Sequence, residues 1–171
     1  LFFALQPGIS PEKIPSAAIL DYQISATPSP STPPQRIKVA TYNVGYASGR
    51  KNNLGNVLSR EEVEKNLQQL AEVLQKLDAD ILFLQEIDFF SRRTFDINQW
   101  EFLAEKLKMP YGAYVLTGNK RYVAWPYWPP TRHFGRLVSG QGVLSRFPIR
   151  EQTLKTFPKP EKNPFWYNWF Y

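Results

Sequence analysis

Two strand-like segments on either side of a long amphipathic helix constrain the fold of this chain more than any other feature. Residues 37–44 alternate in the way that a half-buried strand does. Residues 79–88 have a continuous apolar middle, which is typical of a central strand. Strand, helix and strand at this spacing predict a βαβ-like unit. In such a unit both strands end at the same edge of the sheet.

Further elements follow from capping and periodicity. Ser59 is predicted to cap the first helix, with Glu62 completing a capping box. A second helix is predicted to begin after a cap at Asp96, and further strands at residues 111–116 and 141–147. The pattern is that of a mixed α/β layer protein. Five residues at helical spacing are expected to face inward from the first helix: Val63, Leu67, Leu70, Leu74 and Leu77.

Composition removes several kinds of chemistry. The 171 residues include no cysteine and one histidine, His133. A disulfide scaffold, a thiol nucleophile and a thiolate zinc site are therefore excluded, and so is a two-histidine metal site within the chain. Residues 92–171 hold thirteen Lys and Arg against five Asp and Glu. This basic half indicates either an anionic partner, such as a phosphodiester, nucleic acid or lipid headgroups, or a solvated basic surface.

The two ends differ from the middle. Residues 1–35 begin with Leu1 and hold seven of the fifteen prolines, a composition that favours an extended leader or linker. The apolar residues 1–5 are compatible with the end of a signal or anchor segment, and hence with a membrane tether. Residues 165–171 are aromatic at six of seven positions. We therefore expect residues 36–171 to be a domain cut at Tyr171, and a membrane-interface anchor is the alternative.

Asn43 and Glu86 are the informative polar pair. Each closes one of the two strands that flank the first helix, so both side chains are expected at one edge of the sheet, where α/β proteins usually bind ligands. A carboxylate and an amide oxygen suit Mg²⁺ or Mn²⁺ rather than zinc. The alternative is a structural role, in which both side chains are hydrogen-bonded at the strand ends.

Three motifs resemble the endonuclease/exonuclease/phosphatase superfamily: Thr41–Val44, Ala79–Asp88 and Ser139–Ile149. That superfamily includes exonuclease III-like DNA-repair nucleases, DNase I, inositol polyphosphate phosphatases and neutral sphingomyelinases. The resemblance runs from Arg36 to about Phe157. It implies a four-layer αββα sandwich and metal-dependent hydrolysis of phosphate esters. It also implies that Asn43 and Glu86 are active-site residues, with Glu86 as the Mg²⁺ ligand.

The later motifs of the superfamily do not occur in this sequence. They are a strand that ends in a histidine, a Gly-Asp-x-Asn motif and an Asp-His pair near the C-terminus. His133 lies in the wrong place to match either histidine. The chain thus resembles the N-terminal portion of such an enzyme, and we expect residues 1–171 to be inactive alone. A non-catalytic binding module of the same fold is the alternative.

Other basic and aromatic residues are candidates for substrate contact. Arg92 and Arg93 follow Glu86 closely enough to line the same cleft and bind phosphate, or else form an exposed pair on a loop. His133 is either structural or substrate-lining. The aromatic loop around it could stack bases, insert at a lipid interface or cover the sheet edge.

The expected partner is a phosphate ester, either nucleic acid or a lipid headgroup, and no protein partner is predicted. An exported or envelope-associated location and a cytoplasmic one both stay open.

Overall fold

The computed structural model describes residues 7–10, 13–21, 35–49, 58–155 and 158. Within these residues five strands form one sheet in the order β1-β4-β5-β3-β2. Strands β2 and β3 run parallel, and every other neighbouring pair is antiparallel. The strands are β1 (Ala17–Asp21), β2 (Val39–Asn43), β3 (Ile81–Asp88), β4 (Tyr111–Val123) and β5 (Gly135–Ser145).

Within the same described ranges two α-helices pack on the sheet, α1 (Arg60–Leu77) and α2 (Gln99–Leu107). Helix α1 connects the parallel strands β2 and β3, so the predicted βαβ unit is confirmed. The capping box at the start of α1 is also confirmed, because Ser59 Oγ accepts from the Glu62 backbone and the Glu62 carboxylate accepts from the Ser59 N–H. The inward position predicted for Leu77 is wrong, since this residue of the last turn is 43% exposed.

The predicted cap of the second helix is wrong. Asn98 caps α2, with its Oδ1 accepting from the Glu101 N–H at 3.2 Å. Asp96 has a left-handed backbone (φ 60°) and its carboxylate pairs with Arg136, whereas a cap residue needs an extended backbone. The helix therefore begins at Gln99, two residues later than a cap at Asp96 implies.

The two helices cover one face of the sheet. Trp100 of α2 is fully buried there. Added Cβ atoms at Gly112 and Gly142 would lie 2.6 Å and 2.4 Å from its indole, so these two glycines make room for the ring. The closely packed interior fixes α2 against β4 and β5. The largest fully buried apolar residues are Trp100, Phe89, Leu67, Leu82, Leu84, Ile87, Leu103 and Leu144.

Part of the predicted leader is packed structure. Strand β1 pairs with β4 from Ala17↔Val115 to Asp21↔Tyr111, and Ile14 is 5% exposed. The linker interpretation is therefore wrong for these residues, because β4 offers an edge with which an apolar segment can pair. Residues 1–6, 22–34 and 165–171, on which the tether and aromatic-terminus predictions rest, lie outside the described residues.

Among the described residues, the face opposite the helices exposes large apolar side chains. Val39 is 55% exposed and Phe83 45%, and beside Phe83 lies a shallow groove of about 360 Å³. A sheet with one helix-covered face and another face that exposes large apolar side chains is what part of a sandwich would leave. The α/β fold class is confirmed, whereas the second sheet stays a prediction. In the described ranges no helix is long and apolar enough to cross a membrane.

Candidate active site at the carboxyl edge of the parallel strands

The parallel pairing of β2 and β3 brings Asn43 next to Glu86. Asn43 pairs with Gln85, the residue before Glu86, and the pairing continues as Val44 N donates to Gln85 O at 2.9 Å. Both side chains therefore start from one edge of the sheet, as expected from the sequence. This edge is where α/β sheets usually carry their ligand sites.

Glu86 occupies a bulge in β3. The pairing of β3 with β5 shifts register between Leu84 and Ile87, and Glu86 has a left-handed backbone with φ 52°. Such a backbone costs a non-glycine residue about 1–3 kcal/mol, and strain of this kind concentrates at functional sites. The side chain is half-buried, and within the described part of the chain no group donates a hydrogen bond to its carboxylate. The carboxylate is thus available to a ligand.

Asn43 is held by the chain that follows it. Its Oδ1 accepts from the Gly45 N–H at 2.8 Å, which is an Asx-type turn. The amide nitrogen points away from this bond, and the residue is exposed. Asn43 can therefore present N–H donors to an anion, while its oxygen keeps one lone pair for a cation.

A left-handed turn carries Tyr46 toward the same edge. Gly45, Tyr46 and Ala47 have φ values of 57°, 55° and 58°. The turn is anchored by buried Ala47, whose carbonyl accepts from Asn66 Nδ2 at 2.9 Å. Burial raises the pKa of Tyr46, the Arg93 guanidinium partly offsets this, and the negative charge of Glu86 raises the pKa further. The phenol is therefore a neutral hydrogen-bond donor at physiological pH.

Arg93 lies beneath the tyrosine in a buried ion pair. Its Nε and Nη2 donate to the two carboxylate oxygens of Asp88 at 2.8 Å and 2.9 Å, and Asp88 is fully buried. Its Cζ lies 3.6 Å from the centre of the Tyr46 ring and 5.1 Å from that of Phe134. Burial alone would lower the pKa of Arg93, but the hydrogen bonds and charge of Asp88 raise it overall.

The predicted phosphate contacts differ between the two arginines. Arg93 is paired with Asp88, whereas Arg92 is exposed and its guanidinium has no hydrogen-bond partner among the described residues. The Arg92 side chain lies across Gly135, where an added Cβ would be 2.8 Å from its Cδ. Among the described residues nothing therefore prevents the Arg92 guanidinium from binding an anion where the β4–β5 hairpin enters its loop. Substrate contact by either arginine stays a prediction.

His133 lies within the loop of the same hairpin. Its Nδ1 is 2.6 Å from the Tyr122 hydroxyl and its Nε2 is 3.3 Å from the Tyr127 carbonyl oxygen. In the neutral form that fits both contacts, Nε2–H donates to the carbonyl and Nδ1 accepts from the phenol. Since both ring nitrogens are engaged, the geometry favours the structural interpretation over the substrate-lining one.

Tyr46 and Asp88 are site residues that the sequence did not single out. The signals were present, because Tyr46 lies between Gly45 and Gly49, and Asp88 ends an apolar strand five residues before Arg93. Turn glycines mark left-handed backbone, and an acidic residue in a buried segment requires a partner.

The side-chain oxygens of Glu86 and Asn43 suit a hard divalent cation that is bound by few protein ligands. Glu86 supplies a carboxylate with no hydrogen-bond donor among the described residues, and Asn43 supplies an amide oxygen, which is the ligand chemistry of Mg²⁺ or Mn²⁺. Mg²⁺ usually keeps several waters and binds through one or two carboxylates. Over the described ranges no cluster of three or more His, Asp or Glu side chains could hold a metal.

In a comparison with known proteins, the chain matches one protein family. The model of the Endonuclease/Exonuclease/phosphatase family matches residues 40–167, which is more than half of the chain. Neither the comparison with curated proteins nor that with solved structures gives a significant match. The matched range contains all three motifs that carry the resemblance.

Proposed function

Because the chain belongs to the endonuclease/exonuclease/phosphatase family, we propose that its Glu86 edge is the metal-binding part of a phosphate-ester hydrolase. The family is one of phosphoesterase- and nuclease-type hydrolases, so the reaction class follows from membership. The observation that carries the metal assignment is the half-buried Glu86 carboxylate, without a partner in the described chain, on a strained bulge.

The proposed roles follow from the chemistry of each side chain. Glu86 holds Mg²⁺ or Mn²⁺, and the bound ion would polarise a phosphoryl oxygen and stabilise the leaving oxyanion. Asn43 donates from its amide nitrogen to a non-bridging phosphate oxygen. Arg92 contributes a second, charged donor at the rim. Tyr46 donates to the substrate, and Arg93 positions the ring of Tyr46.

The test is metal-dependent hydrolysis by the protein expressed from its complete reading frame. With bis(p-nitrophenyl) phosphate as substrate, we expect turnover that needs Mg²⁺ or Mn²⁺ and stops with EDTA. Glu86→Gln is expected to lower kcat by at least about a hundredfold. Glu105→Gln, on the exposed side of α2, is the matched control and should leave kcat unchanged. A metal-independent rate, or equal rates in all three proteins, would contradict the proposal.

Residues 1–171 alone are proposed to lack this activity. The Gly-Asp-x-Asn and Asp-His motifs of the family would orient the nucleophile and assist proton transfer, and this sequence contains neither. Turnover by the 171-residue chain that disappears on Glu86→Gln would refute this part. If the complete reading frame yields no turnover but a phosphate ester still binds, the protein is the non-catalytic module.

The proposed substrate is a phosphate ester of nucleic acid or of a lipid headgroup. The support is the basic half of the chain, residues 92–171. Parallel assays with sphingomyelin vesicles, duplex DNA and single-stranded DNA separate the two classes. Hydrolysis of none of these substrates by an enzyme active on the chromogenic diester would contradict both assignments.

A further inference from the structure

The loop between β4 and β5 exposes large aromatic side chains at one point of the surface. We call residues 124–134 the aromatic tip. Trp125 is 42% exposed, Tyr127 70% and Trp128 80%. Single exposed apolar residues are ordinary in soluble proteins, but a cluster of this size in one loop indicates an interaction surface.

The aromatic tip projects from the sheet at the candidate-site edge. Strand β5 pairs with β3 only as far as Asp88↔Ser139, whereas its pairing with β4 continues to Val123↔Gly135. The last part of the hairpin therefore extends beyond the neighbouring strand as a two-stranded arm. The aromatic tip is at the far end of this arm.

The hairpin that carries the aromatic tip has only positively charged residues along its chain. Residues 111–141 contain four Lys and Arg and no Asp or Glu. One of them, Arg136, is paired with Asp96 from elsewhere in the chain. Arg132 is exposed in the aromatic tip itself. The occupant that complements this surface is anionic.

Aromatic rings in and beside the aromatic tip pack edge to face in two pairs, rather than in parallel. Trp125 and Tyr127 pack edge to face, with centroids 5.1 Å apart and planes at 79°. Tyr122 and His133 pack at 72° and share a hydrogen bond. A platform for single-stranded nucleic acid needs ring faces open to successive bases. Here the rings of each pair pack against each other, which stiffens the loop. Tyr127 and Trp128 are the most exposed rings.

We propose that the aromatic tip docks onto the surface of an anionic lipid bilayer. Trp and Tyr rings are suited to the headgroup level, where the apolar body is buried and the polar atom stays hydrated. Each arginine near the membrane surface raises the affinity for anionic lipid by about fivefold. The exposed Arg132 can contribute in this way. Docking requires no catalysis, and it would bring the Glu86 edge close to the bilayer.

The chain has no cysteine, which permits a site-specific probe. Thr131→Cys places one thiol in the aromatic tip without removing a ring, and Val73→Cys places one on the exposed side of α1. Each thiol is labelled with an environment-sensitive fluorophore and titrated with vesicles. We expect a blue shift at position 131, and none at 73, with phosphatidylserine-containing vesicles. Pure phosphatidylcholine should give a much weaker response.

Variants of the tip separate its contribution from that of other segments. In the Thr131→Cys background, Tyr127→Ser with Trp128→Ser is expected to weaken vesicle binding by about tenfold or more. Arg132→Glu should weaken it further, and Lys106→Glu on α2 should not. The proposal is overturned if neither vesicle type shifts the label at 131. It is also overturned if single-stranded DNA shifts that label and vesicles do not, or if the serine variant binds vesicles unchanged.

Discussion

Each end of the sheet holds an arginine against aspartate, but in opposite surroundings. At the candidate-site edge, Arg93 is 15% exposed and its partner Asp88 is fully buried. At the other edge, Arg146 is 41% exposed and binds Asp78 and Asp80, whose side chains are 66% and 22% exposed. Solvent therefore screens the second group of charges far more than the first.

The comparison shows how burial changes the contribution of an arginine–aspartate pair to stability. A screened surface pair contributes little to stability, whereas removing one partner of a buried pair leaves an uncompensated charge. The buried pair also supports the Tyr46 ring beside Glu86, since the guanidinium lies 3.6 Å from the centre of that ring. The candidate-site edge is therefore rigid and costly to alter, and the other edge tolerates substitution.

The largest effect is expected from breaking the buried pair. Arg93→Met keeps most of the side-chain volume but leaves the Asp88 carboxylate buried without its cation. We expect the free energy of unfolding to fall by about 3–5 kcal/mol, measured by urea denaturation. The double variant Arg93→Met/Asp88→Leu should recover a large part of this loss. A single variant that loses less than about 1 kcal/mol would place this pair in the same class as a surface pair.

A smaller effect of opposite sign is expected at the bulge. Glu86→Asn puts a residue that tolerates left-handed backbone at φ 52°. We expect the free energy of unfolding to rise by about 1 kcal/mol while hydrolysis is lost. Glu86→Gln keeps the strain and should leave the stability unchanged. Equal stabilities of Glu86→Asn and Glu86→Gln would mean that the bulge stores no strain.

Tyr46 gives the candidate-site edge a pH dependence in the alkaline range. Burial raises its folded-state pKa above the ordinary value near 10, so the stabilisation is complete below pH 10 and is lost as pH rises through the folded pKa. Urea midpoints between pH 8 and 11 should therefore decline less steeply in Tyr46→Phe than in the wild type. Burial also raises the pKa of Tyr114, so Tyr46→Phe/Tyr114→Phe should flatten the decline further. An unchanged slope in both variants would contradict this explanation.

The smallest effect is expected at the exposed edge. Hydrogen bonding and charge from Arg146, with the charge of Lys38, lower the pKa of Asp78, so its contribution holds at neutral pH and fades as pH falls below about 4. At pH 7, Arg146→Ala should shift Tm by less than about 2 °C in a thermal scan. A shift as large as that of Arg93→Met would remove the distinction between the two edges.

Local signals in the sequence predicted much of this fold. The capping box of Ser59 and Glu62 lies within four residues, and the βαβ unit follows from periodicity over one helix and its flanking strands. Strand β1 could not be predicted in this way, because its pairing with β4 spans about ninety residues. Local composition at β1 is dominated by nearby prolines, and the edge it covers is visible only in the assembled sheet.

In the candidate site, too, local signals predicted some features, whereas others depend on contacts between distant parts of the chain. The placement of Asn43 and Glu86 at one edge of the sheet followed from two strand ends, and the family resemblance is confirmed. The sequence could not predict that Arg93 rather than Arg92 pairs with Asp88, since the two arginines have the same chemistry and adjacent positions. Only the turn of the chain between Asp88 and Thr94 decides which guanidinium meets the buried carboxylate. The left-handed backbone at Tyr46 likewise depends on anchoring by Asn66, nineteen residues beyond Ala47.

The central claim is that Glu86 holds a divalent cation, and Mn²⁺ binding tests it without relying on turnover. The protein from the complete reading frame is titrated with Mn²⁺ and free ion is read by electron paramagnetic resonance, alongside Glu86→Gln and Glu105→Gln. We predict equal Kd values for the wild type and Glu105→Gln, and a Kd at least about tenfold higher for Glu86→Gln. The same Mn²⁺ affinity in all three proteins would contradict the assignment of the metal to this edge.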